Sequence, residues 1–118
     1  MSETQLKRRT KNFAKNIIHL SRTLPNNREG RLIGNQVFRS GTSVAANYRA
    51  ACRGRSKAEF VSKLAIVEEE ADETMFWLEL IKEMDISNHP SLDTLIKESS
   101  DEIVAIMVSS IRTTRKKL

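Results

Sequence analysis

The stretch from Phe60 to Ile81 has the most regular alternation of hydrophobic and polar positions in the chain. Apolar or small residues recur there at alternating spacings of four and three, and Ser56 and Glu59 precede it at capping-box spacing. This repeat is typical of a helix that packs lengthwise against other helices. The predicted buried stripe of this third helix consists of Phe60, Leu64, Val67, Ala71, Thr74, Leu78 and Ile81.

A first helix is predicted over residues 3–23. Ser2 and Gln5 have the spacing of a second capping box, and Pro25 interrupts the pattern after the helix. Its hydrophobic positions also follow a seven-residue repeat, which points to the same lengthwise packing. The predicted stripe consists of Leu6, Phe13, Ile17, Leu20 and Leu24.

A second helix is predicted over residues 28–53, and it contains many small residues. Gly41 costs about 1 kcal/mol relative to alanine inside a helix, so we expect a neighbouring helix to pack closely against it. Gly54 stands where a left-handed C-terminal cap is expected. The predicted stripe consists of Ile33, Val37, Ser40, Val44, Asn47 and Ala51.

A fourth helix is predicted from Pro90 to about residue 115. Its stripe consists of Leu92, Ile96, Ser99, Ile103, Ile106 and Ser110, widened by Leu95, Met107 and Ile111. Four helices with short connections predict an all-α fold, an antiparallel up-down-up-down four-helix bundle.

Length and composition fit a single helical domain over residues 1–118. Apolar residues make up 39% and charged residues 30%, and no apolar run is long enough to span a membrane. The first residues lack the apolar core of a signal peptide, so a cytoplasmic protein is expected. Cys52 is the single cysteine, which excludes an internal disulfide and favours a small buried side chain.

Charge becomes informative once the topology is considered. The net charge is +5, and an up-down bundle brings the N-terminus, the second connection and the C-terminus to one end. Twelve of the 20 Lys and Arg residues should gather there, namely Lys7, Arg8, Arg9, Lys11, Arg49, Arg53, Arg55, Lys57, Arg112, Arg115, Lys116 and Lys117. Such a cluster favours phosphate binding through counterion release.

The first candidates for nucleic-acid contact lie around the second turn, because a structured turn should hold them in place: they are Arg49, Arg53, Arg55 and Lys57. The next candidates lie near the two chain ends: Arg8, Arg9, Arg112, Arg115 and Lys116. Aromatic residues make up only 5% of the chain, so sequence-specific base stacking is not indicated. The alternative to nucleic-acid binding is a solvated tail, together with cations at the C-terminal end of a helix that complement its dipole.

The third helix is also acidic, but the pattern does not predict a metal site, a cofactor or a catalytic centre. Consecutive helical residues point about 100° apart, so the run from Glu68 to Glu73 cannot form one ligand box. His19 and His89 stand alone, and no glycine-rich phosphate loop is present. We therefore predict a protein that is not an enzyme. The flanking carboxylates Glu68 and Glu70 are expected to pair with Arg39, Arg49 or Lys63.

Met75, Phe76 and Trp77 cannot all enter one core, because Phe76 lies opposite the buried stripe of the third helix. A broad core with one exposed phenylalanine is one interpretation. The other is a subunit interface formed by these three residues, since aromatic residues and methionine are enriched at interfaces. We favour self-association.

Four blocks of the chain, residues 36–51, 53–60, 69–74 and 77–80, resemble the bacterial four-helix-bundle family of 23S rRNA intervening-sequence proteins. The run from Arg39 to Asn47 and the start of the third helix are the more specific parts. Many members continue with Ile-Ala-Glu-Gly, whereas this chain has Tyr48, Arg49, Ala50 and Ala51, which adds a cation to the basic end.

The resemblance implies a homo-oligomer, a ring of five, and a left-handed up-down bundle. It also implies a link to inserts in large-subunit ribosomal RNA genes, and to a related branch that acts as accessory protein to reverse transcriptases in diversity-generating elements. The combined prediction is an oligomeric bundle that binds RNA or DNA with little sequence specificity. The alternative is an interaction scaffold or accessory subunit for a reverse transcriptase.

Overall fold

The computed structural model describes residues 1–117, with Ser100 described by its backbone alone. These residues form four helices. Helix α1 spans Glu3–Arg22, α2 spans Arg28–Cys52 and α3 spans Lys57–Glu83. Helix α4 consists of three consecutive segments, Leu92–Lys97, a π-helical segment Glu98–Val104, and Ala105–Arg115. The helices run up, down, up and down in a body of 48 × 21 × 19 Å, which confirms the predicted all-α four-helix bundle.

Side-chain caps explain where the first three helices begin. Ser2 and Gln5 form the predicted capping box of α1, with bonds of 2.8 and 3.1 Å. The hydroxyl of Ser56 accepts a hydrogen bond from the N–H of Glu59 at 3.0 Å, but the Glu59 carboxylate accepts from the Arg55 N–H instead of closing the box. Asn27 caps α2, because its side-chain oxygen accepts a hydrogen bond from the Gly30 N–H at 2.9 Å.

The core is a continuous cluster that all four helices contribute to. The stripe predicted for α3 is buried from Leu64 to Ile81, and Phe60 packs against it. Polar groups within the core are paired: the hydroxyl of Thr74 donates to the Ser40 hydroxyl, with 2.9 Å between the oxygens, which links α3 to α2. The predicted stripes of α2 and α3 therefore face each other.

The π-helical segment of α4 changes which residues are buried. After Leu95 the buried positions follow at steps of four, whereas Ile96, Ile106 and Ser110, which the sequence pattern placed in the stripe, are only partly buried. A π turn accommodates one extra residue, so the inward face moves along the chain by one position. The buried residues of α4 are Leu92, Leu95, Ser99, Ile103, Met107 and Ile111.

The left-handed cap lies at a different place from the one predicted. No glycine in the described chain has a positive φ, so the prediction for Gly54 was wrong. Gly54 is instead needed for close approach, because a Cβ there would lie 3.0 Å from the Ala51 carbonyl oxygen. The positive φ, 53°, belongs to Asp85 after α3, where the Ile86 N–H donates to the Ile81 carbonyl at 2.9 Å as in a Schellman motif.

Two glycines of α2 mark close contacts with α1 and its turn. A Cβ on Gly41 would lie 2.7 Å from the Ile17 side chain, which agrees with the close packing expected from the sequence. A Cβ on Gly30 would lie 1.9 Å from the carbonyl oxygen of Pro25, a backbone atom. Helices α1 and α2 are therefore held tightly together. Within residues 1–117, none of the helices combines the length and apolar character that crossing a bilayer requires.

Candidate nucleic-acid interface

The start of α1, the α2–α3 turn and the end of α4 meet at one end of the bundle, which we call the basic end. The ammonium of Lys57, at the start of α3, donates to the carbonyl oxygen of Lys117 at 3.4 Å. Glu3 shares a shallow depression with Cys52 and Arg55 of the α2–α3 region. The two chain ends and the second turn therefore come together, as the topology predicted.

An open groove between α1 and α2 brings two pairs of cations together. It has a volume of about 470 Å³ and is lined by Lys7 and Lys11 of α1 and by Arg49 and Arg53 at the end of α2, above a floor of Ala45 and Ala46. No Asp or Glu of the described chain lines it. We refer to this groove as the cationic groove.

Sequence reasoning placed Arg49 and Arg53 among the first candidates but left out Lys7 and Lys11. A signal for them was present, because two lysines four residues apart lie on the same face of a helix. In α1 that face lies beside Leu6, which is buried, so the pair is held at the edge of the bundle where α2 adjoins. Lys7 also lies 3.8 Å from Glu3, an exposed pair of little energetic weight.

The remaining candidates occupy other parts of the basic end. Arg112, Arg115 and Lys116 line a second groove of about 540 Å³ between α3 and α4, where Glu68 is also present. Arg55 and Lys57 line the shallow depression that contains Glu3. Both of these surfaces include a carboxylate in their lining, whereas Glu3 lies outside the lining of the cationic groove and reaches Lys7 only as an exposed pair.

Arg8 and Arg9 differ in their surroundings. Arg8 is exposed, whereas the guanidinium of Arg9 is paired with the carboxylate of Glu102 on α4, and only 25% of its side chain is exposed. Burial raises the pKa of the nearby Glu98 carboxyl, and the charge of Arg9 opposes that shift. Arg9 therefore ties α1 to α4, and much of its charge is already balanced.

Beneath the basic end, Tyr48 and Cys52 lie on adjacent turns of α2. Burial is the main reason that the pKa of Tyr48 is raised above its ordinary value, and the Cys52 contact adds to the shift. Burial also raises the pKa of the Cys52 thiol, and a hydrogen bond with Glu3 adds to it. Both groups are thus protonated at neutral pH, so Cys52 is not a thiolate nucleophile.

A second cluster, which we call the aromatic corner, consists of Glu73, Phe76 and Trp77 on the outer surface of α3 and of Arg39 on the adjacent α2. Arg39 pairs with Glu73 and also with Glu70 at 3.3 Å, which confirms the expected Glu70–Arg39 pairing. The hydrogen bond to Glu73 is the main reason that the pKa of Arg39 is raised. The indole N–H of Trp77 donates to Glu73 at 3.2 Å.

Phe76 is the exposed member of the aromatic corner. Its side chain is 52% exposed, and its ring meets that of Trp77 edge-on with 5.0 Å between the centroids. Trp77 and Met75 are partly buried. The structure thus separates the three residues: Met75 and Trp77 flank the bundle, and Phe76 faces outward.

Among the residues that the structure describes, no three His, Cys, Asp or Glu side chains come together in a way that could hold a metal ion. The site that the geometry does form is a set of cationic surfaces at one end of a helical bundle. This arrangement defines a bundle protein with a concentrated basic end.

Comparison with known proteins places that bundle in a family. The profile of the family described as 23S rRNA-intervening sequence protein matches residues 2–109, and the chain belongs to this family. The crystal structure of a protein of unknown function from the S23 ribosomal protein family of Bacteroides thetaiotaomicron VPI-5482 is similar, with a TM-score of 0.85. The two chains are 33% identical, and the match covers 95% of this chain and 99% of the other. No curated protein matches this chain.

Proposed function

We propose that this protein binds the phosphates of RNA or DNA at its basic end, with little sequence specificity and without catalysis. The observation behind the proposal is the meeting of α1, the α2–α3 turn and the end of α4, which gathers cations that lie far apart in the sequence. Cations grouped in this way release counterions from a nucleic acid when they bind it, and that release favours association.

Low sequence specificity is expected from the side chains at this end. Base readout in single strands relies on exposed aromatic rings and on hydrogen bonds to base edges. In the described part of the basic end, Tyr48 is buried and Phe60 is half-buried, so neither offers an open stacking surface. Lys and Arg side chains can then contact phosphates, which are the same for every sequence.

A salt titration of the unmodified protein tests this proposal. Fluorescence anisotropy with labelled single-stranded RNA of several unrelated sequences should show binding at low salt that weakens as salt rises. The log–log slope should be about −0.7 for each phosphate contact, and it should be similar for all sequences. No binding at low salt would refute the proposal, and strong preference for one sequence would refute its claim of low specificity.

A second candidate function is that of an oligomeric interaction scaffold, for which the exposed Phe76 is the supporting observation. Its ring would become buried if a second copy of the chain covered the aromatic corner, and aromatic side chains often contribute much of the binding energy of interfaces. A homo-oligomer, a pentamer by family resemblance, and an accessory role beside a reverse transcriptase are versions of this proposal.

Sedimentation analysis of the wild type and of Phe76→Ala tests it. The wild type should form an assembly and the variant smaller species, whereas Ser62→Ala, at an exposed position about four turns earlier on α3, should leave the assembly unchanged. A monomeric wild type would refute self-association. An unchanged assembly in Phe76→Ala would remove the aromatic corner from the interface.

A further inference from the structure

The cationic groove has a geometry suited to a linear polyanion. Lys7 and Lys11 are four residues apart on α1, and Arg49 and Arg53 are four apart at the end of α2. Four residues of helix rise about 6 Å, so each wall presents two cations in succession along the groove. Two walls with two cations each form a double row that follows the helix axes.

The alanine floor leaves that double row open. Ala45 and Ala46 lie between the walls, and longer side chains at these positions would fill the groove. Gly41 packs against Ile17 about one turn beyond the floor, which keeps α1 and α2 in contact there. A groove of about 470 Å³ is too small to enclose a double helix, whereas a single sugar–phosphate backbone can lie in it.

Charge distinguishes this groove from the other surfaces of the basic end. The groove beside Arg112 includes Glu68, and the depression beside Arg55 includes Glu3. A carboxylate close to a bound phosphate would oppose binding, since like charges repel. In the cationic groove, no acidic side chain of residues 1–117 is part of the lining; Glu3 lies outside it and forms an exposed pair with Lys7 at 3.8 Å, which offsets little of the charge.

We propose that the cationic groove is the main seat for nucleic acid, with successive phosphates of one strand lying between the Lys7–Lys11 wall and the Arg49–Arg53 wall. This inference rests on the proposed function, and it adds a location and a binding mode to it. It makes α1 a direct partner of the nucleic acid, and it gives the small side chains of Ala45 and Ala46 a role in leaving room for the strand.

Two charge-matched double variants test the location. Lys7→Gln with Lys11→Gln and Arg112→Gln with Arg115→Gln each lower the net charge from +5 to +3. With labelled single-stranded RNA, the first variant should bind on the order of tenfold more weakly, and its salt slope should be less steep by about 1.4, which is the loss of two phosphate contacts. The second variant should keep affinity and slope close to those of the wild type.

A second pair of variants tests the floor without removing a cation. Ala46 is exposed on α2, so Ala46→Glu and Ala46→Gln place side chains of nearly the same size in the groove, and both residues are good helix formers. The glutamate should weaken RNA binding about tenfold more than the glutamine does, because its charge repels phosphate. Thermal melts of all four variants should show that each one folds.

The outcomes separate this inference from the proposed function. Weak binding by the Lys7/Lys11 variant alone, together with a glutamate effect at position 46, supports the groove. Equal losses in both double variants, or equal binding by Ala46→Glu and Ala46→Gln, would overturn the groove while nucleic-acid binding stands. A wild type that does not bind RNA at low salt would overturn both.

Discussion

The same substitution one turn apart in α2, Gly30→Ala and Gly34→Ala, should have opposite effects on stability. A Cβ at Gly30 would lie 1.9 Å from the Pro25 carbonyl oxygen, so the α1–α2 turn has to move. At Gly34 a Cβ would meet only the end of the Leu24 side chain, at 3.4 Å, which is ordinary contact. Two sites with the same chemistry therefore differ only in their surroundings.

The magnitude follows from the groups that are disturbed. Moving Gly30 weakens the cap in which its N–H donates to Asn27 at 2.9 Å, at a cost of about 1 kcal/mol. Overpacking adds about 1–3 kcal/mol. The higher helix propensity of alanine offsets less than about 1 kcal/mol of this loss, because Gly30 lies near the start of the helix. Gly30→Ala should lower the free energy of unfolding by about 2 kcal/mol, whereas Gly34→Ala should raise it by about 0.5–1 kcal/mol.

Urea denaturation followed by far-UV circular dichroism measures both changes. The midpoints should move in opposite directions at an unchanged m-value, and the melting temperature should shift by about 4 °C per kcal/mol. Equal protein concentrations are needed, because any self-association would add to the apparent stability. A Gly30→Ala protein as stable as the wild type would refute the close contact with Pro25.

Three further predictions concern buried or strained positions. Thr74→Val should lower the free energy of unfolding by about 0.5–1.5 kcal/mol, because the bond between the Thr74 and Ser40 hydroxyls is lost while Ser40 keeps its longer bond to the Val37 carbonyl at 3.4 Å. A double-mutant cycle with Ser40→Ala should show a coupling energy, and strict additivity would contradict the bond. Tyr48 has a raised pKa, so the stability it contributes to the folded state is complete below pH ~10 and is lost as pH rises, because the phenol of the unfolded chain ionises first. Tyr48→Phe should therefore flatten the alkaline decline in the free energy of unfolding, and an identical decline would contradict the burial of Tyr48. Asp85→Gly should raise the free energy of unfolding by about 0.5–1 kcal/mol because glycine adopts a positive φ more readily; a lowered urea midpoint would contradict the strain.

The repeat in α3 predicted its packing well because spacing alone decides which face of a regular helix is buried. In α4 the same logic was only partly right: the buried residues were all among the predicted ones, but Ile96, Ile106 and Ser110 are not buried, since a π turn changes the number of residues per turn and the pattern gives no local sign of it. The position of Gly54 after α2 predicted a left-handed cap there, but its φ is not positive. The residue with a positive φ is Asp85, which ends a different helix, α3. The close approach of Gly30 to Pro25 within the α1–α2 turn is also invisible to a periodic pattern.

The candidate site was predictable in its location but not in its detail. Topology placed the cations at one end, which needed only the helix count and order. Which cations share a surface depends on side-chain direction: Lys7 and Lys11 face Arg49 and Arg53, while Arg9 turns to Glu102 on α4. A list of nearby charges cannot distinguish these cases without coordinates.

Lysine acetylation with and without bound RNA, read by mass spectrometry, shows whether RNA binds at the basic end. Lys82 and Lys97 lie at the opposite end of the bundle and serve as internal controls. RNA should protect Lys7 and Lys11 from acetylation, while the two control lysines react as before. Equal protection at both ends, or protection of Lys82 and Lys97 alone, would contradict binding at the basic end.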